Sequence, residues 1–442
     1  MLEKIDDEAF QMELISNEIG DSAEKIIEER NRYKKLLEEQ EKIAEELKKT
    51  KKRIDDTDSV LAMGVIEKYR IERDHADEEL EAANRIIKEF EEQSECMSNS
   101  LQIDVEKESN YLMYKVTSEI LDKQVERYRS PTQLTDLKPF MERTEKELSE
   151  ISASDYADGE KLENALREIE IIGMDLYQRL FPDELKRILW KNKEEISSIF
   201  IISNEEWIPW EIIKPFKRTE RGTVEEDFWC VKYAIGRWVS KQYPKKSIHV
   251  RCGSVITHNK NGKLQRVNDE KENIEKILEN EGIKLIQRCK SIHNLLSDTE
   301  INLFHFACDA VYDESSSDDS YLCLADGNLK ARYVSVCNLK RGKPMVFVNA
   351  CESSITGHAI TGIGGFPKAF TDSGSLAFIG TMWKVPDKYA LEFSETFYKN
   401  LFEKNLSIGE ALKKTRVDLK DLPNPMWLAY SLYGSPLAKV RV

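Results

Sequence analysis

From about Ser197 to the C-terminus the chain repeats one pattern: a short β-branched or aromatic run, a turn, then an amphipathic helix. The runs Ser198-Ile-Phe-Ile-Ile202, Ser247–Ile256, Ile283–Ile286, Asn302–Cys308, Met345–Asn349 and Leu376–Gly380 read as buried strands, and Ile208-Pro-Trp-Glu-Ile212 follows a turn. Between them lie helical patterns at Asn268–Asn280, Gly365–Asp372, 385–403 and 407–419, before a closing Trp427-Leu-Ala-Tyr-Ser-Leu-Tyr433. Consecutive parallel strands need such crossovers, so the pattern predicts an α/β fold with a mostly parallel sheet and helices on both faces. The glycines form neither GxGxxG after a strand nor a GxxxxGK[ST] loop, so nothing indicates a nucleotide site.

The chain before Ser197 has a different character. Over residues 1–97 it is rich in Glu, Lys, Arg and Asp and contains no Pro. Stepping by three and four from residue 19 to 54 meets apolar residues at eight of eleven positions: Ile19, Ala23, Ile26, Tyr33, Leu37, Ala44, Leu47 and Ile54. A second series runs through Ile66, Tyr69, Ala76, Leu80, Ala83, Ile87 and Phe90, with a capping cluster at Asp55-Asp-Thr-Asp58 between them. These seams predict an all-α, antiparallel coiled-coil hairpin, with helices over about 17–54 and 59–95. Its apolar seam is also a surface for a protein partner or a second copy of the chain. Residues 98–196 then open with a β-hairpin, Leu101–Val105 and Tyr111–Val116, and continue with helices over 133–153 and 159–181. The expected division is therefore 1–97, 98–196 and 197–442.

Composition narrows the function. Across 442 residues the net charge is −15, which argues against nucleic acid or an anionic membrane as a general partner. Mean hydropathy is −0.54, and no apolar run approaches the roughly 18 residues of a membrane span. The first residues lack the basic and apolar regions of a signal peptide. Eight cysteines without CxxC pairs suit free thiols in a reducing cytoplasm, and with six histidines they suggest no metal site and no cofactor.

Within this frame Cys351 stands out. It ends the run Met345-Val-Phe-Val-Asn349 and is followed by Glu352, Ser353, Ser354 and the glycines 357, 362, 364 and 365. Open α/β sheets place their chemistry at the C-terminal ends of strands. A lone cysteine is more commonly plain core, but the polar residues around Cys351 favour a site.

Several ordered segments carry a family resemblance. Ile208-Pro-Trp-Glu-Ile212, His305-Phe-Ala-Cys308, Val348-Asn-Ala-Cys-Glu-Ser353, Gly380-Thr-Met-Trp-Lys-Val-Pro-Asp387 and Trp427–Gly434 resemble, in order, the motifs of the CHAT domain. That module belongs with the caspase- and separase-like cysteine peptidases. The resemblance spans about Gly173 to Gly434 and leaves the coiled coil outside. It implies a caspase-like sheet and peptide cleavage by a Cys–His dyad, with Cys351 as nucleophile and a protein or peptide as substrate.

The departure from the family is at the base. Where members carry HxxxHG, this chain reads His305-Phe-Ala-Cys-Asp309-Ala310, so the second histidine is replaced by Asp309 and the glycine by Ala310. The ends Ala307-Cys308-Asp309 and Ala350-Cys351-Glu352 match, so neighbouring parallel strands set Asp309 beside Cys351. His305 then falls about 13 Å back along its strand, at 3.3 Å per residue, more in keeping with a satisfied in-strand histidine than a base. A cysteine nucleophile needs its base within hydrogen-bond reach, and a neighbouring carboxylate disfavours the thiolate. His358, in the glycine-bounded loop, is a remaining candidate. By analogy with Arg/Lys-specific relatives, Asp313, Glu314, Asp318 and Asp319 are candidates to line a pocket for a basic substrate residue, the plainer alternative being a solvated loop. Asp309, Trp383 and Asp387 are candidates to flank the cleft, while Trp210 and Trp427 read as core. Two functions follow: a caspase-like cysteine endopeptidase effector awaiting a partner or assembly, or a pseudo-protease that binds or regulates and has lost its base.

Overall fold

The computed structural model describes residues 99–442, apart from 119, 121–126, 155, 157, 240–243, 260, 261, 263, 287–290, 299, 312, 314, 315, 352–364 and 384. Of Cys351 only the backbone is described. The coiled-coil reading over 1–97, Glu314 and His358 all lie outside the described residues.

The described chain opens with β1 (Ser100–Glu108), β2 (Tyr111–Thr117), β3 (Arg127–Arg129), α1 (Leu134–Ser152), α2 (Gly159–Leu180) and α3 (Asp183–Lys191). Asp158 caps α2 by accepting from the Glu160 amide. Next come β4 (Ser198–Ser203), the hairpin β5 (Phe216–Thr219) and β6 (Gly222–Glu225), α4 (Trp229–Lys232), β7 (Ala234–Trp238), β8 (Ser247–His249) and β9 (Cys252–His258). They are followed by α5 (Val267–Asn280), β10 (Lys284–Leu285), α6 (Ile292–Leu296), β11 (Leu303–Val311), β12 (Tyr321–Leu324), β13 (Gly327–Lys330) and α7 (Ala331–Ser335). The last elements are β14 (Met345–Cys351), α8 (Phe366–Ser373), β15 (Ala377–Thr381), α9 (Asp387–Phe402), α10 (Ile408–Leu419), β16 (Tyr430–Gly434) and β17 (Lys439–Arg441). A full capping box, Ser407 with Glu410, starts α10.

The main sheet runs β10-β9-β11-β14-β15-β16-β7-β4-β1-β2-β3. From β10 to β15 every pairing is parallel, and so is every pairing from β16 to β1. The β15–β16 pair between these blocks is antiparallel. Because β1 adds in parallel to β4, residues 98–196 and 197–442 share one sheet.

Alternation along the strands divides the interior into two cores. Leu303, Met345, Phe347 and Ile379 face Ile274 of α5 and Phe393 and Phe397 of α9. Phe304, Phe306, Val346, Val348 and Phe378 point the other way, toward Val334 of α7 and Phe370 of α8. Burying each of these large apolar side chains contributes about 1.5–3 kcal/mol. Near-continuous apolar strands are what a sheet covered on both faces requires.

Two local expectations need correction. The run Ser247–Ile256 is not one strand, because the chain changes partners at Val250–Arg251. β8 pairs with β17 in a separate small sheet, the Val250 amide bonds to Arg441 O, and the Arg251 amide bonds to the Asn302 side chain before β9 joins the main sheet. β11 is longer than Asn302–Cys308 and carries Asp309 inside it, because the β12–β13 hairpin pairs with its last residues. The Ile208–Ile212 segment, for which no strand was expected, is a 3-10 turn at Trp210–Ile212 opened by Pro209.

Candidate functional site

The site is built on the C-terminal ends of β11 and β14. Their parallel register sets His305 opposite Phe347, Ala307 opposite Asn349 and Asp309 opposite Cys351. Residues paired this way share a face, and every second residue returns to it. Asp309 therefore faces the core that holds Leu303 and Phe347, while Cys308 and Ala310 face the other. Asp309 does not stand at an open mouth. It is 1% exposed, and neither of its carboxylate oxygens has a hydrogen-bond partner.

His305 lies one stage deeper and is fully buried. Its Nε2 is 3.0 Å from Glu270 Oε1 on α5, and its Nδ1 is 3.2 Å from the Tyr398 hydroxyl on α9. The ring also stacks on Phe347. Each ring nitrogen therefore has a partner whichever tautomer is present. Both nitrogens are thus occupied, and neither is free to take a proton from Cys351.

Glu270 is the hub of a buried network that sequence reading did not single out. Its Oε1 also accepts from Asn349 Nδ2 at 2.5 Å and from Ser394 Oγ at 2.9 Å. Asn349 donates in addition to Ala390 O, and its own oxygen accepts from the Tyr430 hydroxyl at 2.7 Å. The network joins β11, β14 and β16 to α5 and α9, and it holds β14 two residues before Cys351. The nearest signal in the sequence was Asn349 itself, a polar residue inside an apolar strand.

The remaining candidates are spread around this strand end. Trp383, two residues beyond β15, is 3% exposed and packs in the core on the Asp309 face, with its indole Nε1 unpartnered. Asp387, at the start of α9, is half-buried and accepts the Arg266 amide at 2.7 Å, so it ties the entry to α5 to the entry to α9. Burial pushes its carboxyl above the ordinary range, against the pull of that amide. Asp313 closes a turn by accepting the Ser316 amide. Asp319 pairs with Lys330 and Arg332. Asp318 instead lines a cleft of about 410 Å³ with Glu206, Trp207, Lys368 and Asp372. Burial raises the Glu206 carboxyl there, and Lys368 and Arg237 oppose the rise. Gly365 borders the cleft at φ 68°, where a Cβ would come within 2.7 Å of Ser317 O.

The Pro-Trp-Glu segment serves the interior. Trp210 is buried, and Glu211 makes a bidentate ion pair with Arg237 at the centre of β7. Arg237 also donates to Glu206 O and to Met382 Sδ, next to Trp383. Trp427 is likewise core. Among the described histidines, His258 ends β9, but its register with Cys308 sets it on the face opposite to that of Asp309.

A family profile described as the CHAT domain matches residues 171–435, more than half of the chain. The chain belongs to the CHAT domain family. No curated protein matches this CHAT protein. Among solved structures it is similar to two of the Saccharomyces cerevisiae separase–securin complex, with TM-scores of 0.45 and 0.43 at 12% and 14% identity. In both, 79% of this chain is covered but only 31% of the other, so it spans about a third of that chain's length. A structure titled only as a protease gives a TM-score of 0.39 at 10% identity, covering 69% of this chain and 75% of that one. Among the described residues, no helix of the CHAT protein is long and apolar enough to cross a membrane.

Proposed function

We propose that this CHAT-family protein is a pseudo-protease: a peptidase fold that binds or regulates and has no base of its own for Cys351. The observation that carries this reading is the pairing of Asp309, not a histidine, with Cys351 across β11 and β14. The occupied ring of His305 supports it, since that side chain is committed to Glu270 and Tyr398. Protein partners are the ligands that suit such a scaffold, and the apolar seam of residues 19–90 offers a surface for a partner or a second copy.

The test restores what the family pattern lacks. Asp309→His with Ala310→Gly should produce cleavage of general peptide substrates that disappears again on Cys351→Ala. Cleavage by the unmodified protein alone, abolished by Cys351→Ala, overturns the reading.

A second reading is the endopeptidase effector that gains its base only on meeting a partner. It is favoured by the retained thiol at the strand end, which a binding protein has no chemical need to keep. Peptide cleavage that appears only with a partner, and depends on Cys351, decides for it.

A further inference from the structure

The opposite end of β14 gathers cations. The length of the strand, about 20 Å, separates that end from Cys351. The turn that feeds it reads Lys340-Arg341-Gly342-Lys343. Beside this turn the Asn302 side chain donates to Gly342 O and accepts the Arg251 amide that leads into β9. A second basic segment, Pro244-Lys245-Lys246, enters β8. Lys245, Arg251, Lys340, Arg341 and Lys343 are all exposed. Among the described residues no carboxylate pairs with Lys245, Lys340, Arg341 or Lys343. In a chain of net charge −15, a face of unneutralised cations is against the trend.

Two features single out Lys245 and Lys343 within this face. Lys343 has φ 47°, a left-handed conformation that ordinarily falls to Gly or Asn. Its amide is pinned there by a 2.7 Å bond to Leu339 O. A turn that needed only its backbone would be better served by glycine, so a lysine here accepts strain and keeps a charge. The Lys343 ammonium also stands close enough to Lys245 to hold that lysine below its ordinary pKa range by repulsion. Two separate segments thus bring like charges together at the surface.

The chemistry that would offset such a pair is a compact oxyanion of more than one negative charge. A carboxylate brings a single charge and leaves one ammonium uncompensated. A phosphate group brings up to two, and lysine meets it as a point charge while Arg341, on the same turn, offers a planar fork to further oxygens. The negative balance of the whole chain favours a compact group over an extended polyanion.

We propose that the N-terminal end of β14 binds a phosphate group, held between the Lys245 and Lys343 ammoniums with Arg341 at the rim. This site is separate from the strand end that carries Cys351, and it stands whether or not the chain cleaves peptides. A free phosphorylated small molecule and a phosphorylated side chain of a protein partner both present this group.

The test uses the full-length protein with two probes, inorganic pyrophosphate and the peptide acetyl-Gly-phosphoserine-Gly amide, beside the unphosphorylated peptide. Calorimetry at low salt should show saturable binding of at least one phosphorylated probe and none of the unphosphorylated peptide. Tighter binding of pyrophosphate assigns the site to a free ligand, and tighter binding of the phosphopeptide to a modified partner. Lys245→Ala and Lys343→Gly should each weaken binding at least tenfold. Glycine suits the left-handed turn, so the thermal midpoint of Lys343→Gly should not fall, which separates a lost charge from a lost turn. Lys420→Ala, an exposed charge at the end of α10, should leave binding unchanged. No saturable heat with either phosphorylated probe up to about 10 mM, undiminished binding in both Lys245→Ala and Lys343→Gly, or an equal loss in Lys420→Ala overturns the proposal.

Discussion

Nε2 of His305 lies 3.0 Å from Oε1 of Glu270, in the core between β11 and α5. The family motif begins at this histidine, yet its ring serves the interior and not the strand end. Low polarity strengthens such contacts and makes each member costly to orphan.

Glu270→Ala should therefore be severe. It leaves His305, Asn349 and Ser394 without a shared acceptor, and we expect a loss of about 3–5 kcal/mol from those unpaired groups. Glu270→Gln keeps an acceptor oxygen and should cost clearly less. Urea unfolding followed by tryptophan fluorescence measures both, and equal losses would show that the network is not held through Glu270.

The Glu211–Arg237 pair makes a second prediction. Both side chains are almost fully buried, at 0% and 3% exposure. Glu211→Ala strands a cation in the core and should cost about 3–5 kcal/mol. Adding Arg237→Met should return most of that loss, because the desolvated charge disappears as well. A double variant no more stable than Glu211→Ala alone would refute this account of the Pro-Trp-Glu segment.

Glu206 supplies a pH dependence. Burial holds its carboxyl above the usual carboxylate range, so the folded protein binds that proton more tightly than the unfolded chain. The group's contribution is favourable below the unfolded pKa and is lost as pH rises through the folded one. Glu206→Gln removes the ionised form, so at pH 7 it should stabilise the protein by about 1 kcal/mol or less once solvent screening is allowed for. At pH values below the ordinary carboxylate range the gain should vanish. A gain that persists unchanged in acid would contradict the assignment.

Thiol reactivity probes Cys351 directly. Under the pseudo-protease reading it should alkylate no faster than the partly exposed Cys252 and Cys337, since the residue paired with it is the acidic Asp309 and not a base. Cys230, whose thiol burial pushes up to about 12, should be the slow reference. Asp309→Asn should speed Cys351 alkylation by removing the acidic neighbour. Rapid, selective labelling of Cys351 in the unmodified protein would instead point to a base within reach.

Much of this site was legible in the chain. The strands at 303–311 and 345–351 declare themselves by apolar runs, and their like ends, Ala-Cys-Asp and Ala-Cys-Glu, place Asp309 near Cys351; aligning the ends would set Cys308 opposite Cys351, and the register lies one residue from that, pairing Asp309 with it. Strand formation depends on local pattern, which a sequence carries openly. What the pattern could not decide was where each polar side chain spends its hydrogen bonds. His305 finds its partners 35 and 93 residues away, and Glu211 finds Arg237 across 26 residues. Nothing in local spacing links those positions. The break of the expected 247–256 strand had the same origin, since β17, at the far end of the chain, claims β8. The sequence by itself determined the α/β alternation, the strand that ends in Cys351 and the presence of Asp309, not a second histidine, four residues after His305. Only the tertiary structure decided that Asp309 is buried without a partner and that His305 is committed to the core, because burial and long-range hydrogen bonding are properties of packed elements and not of neighbours along the chain.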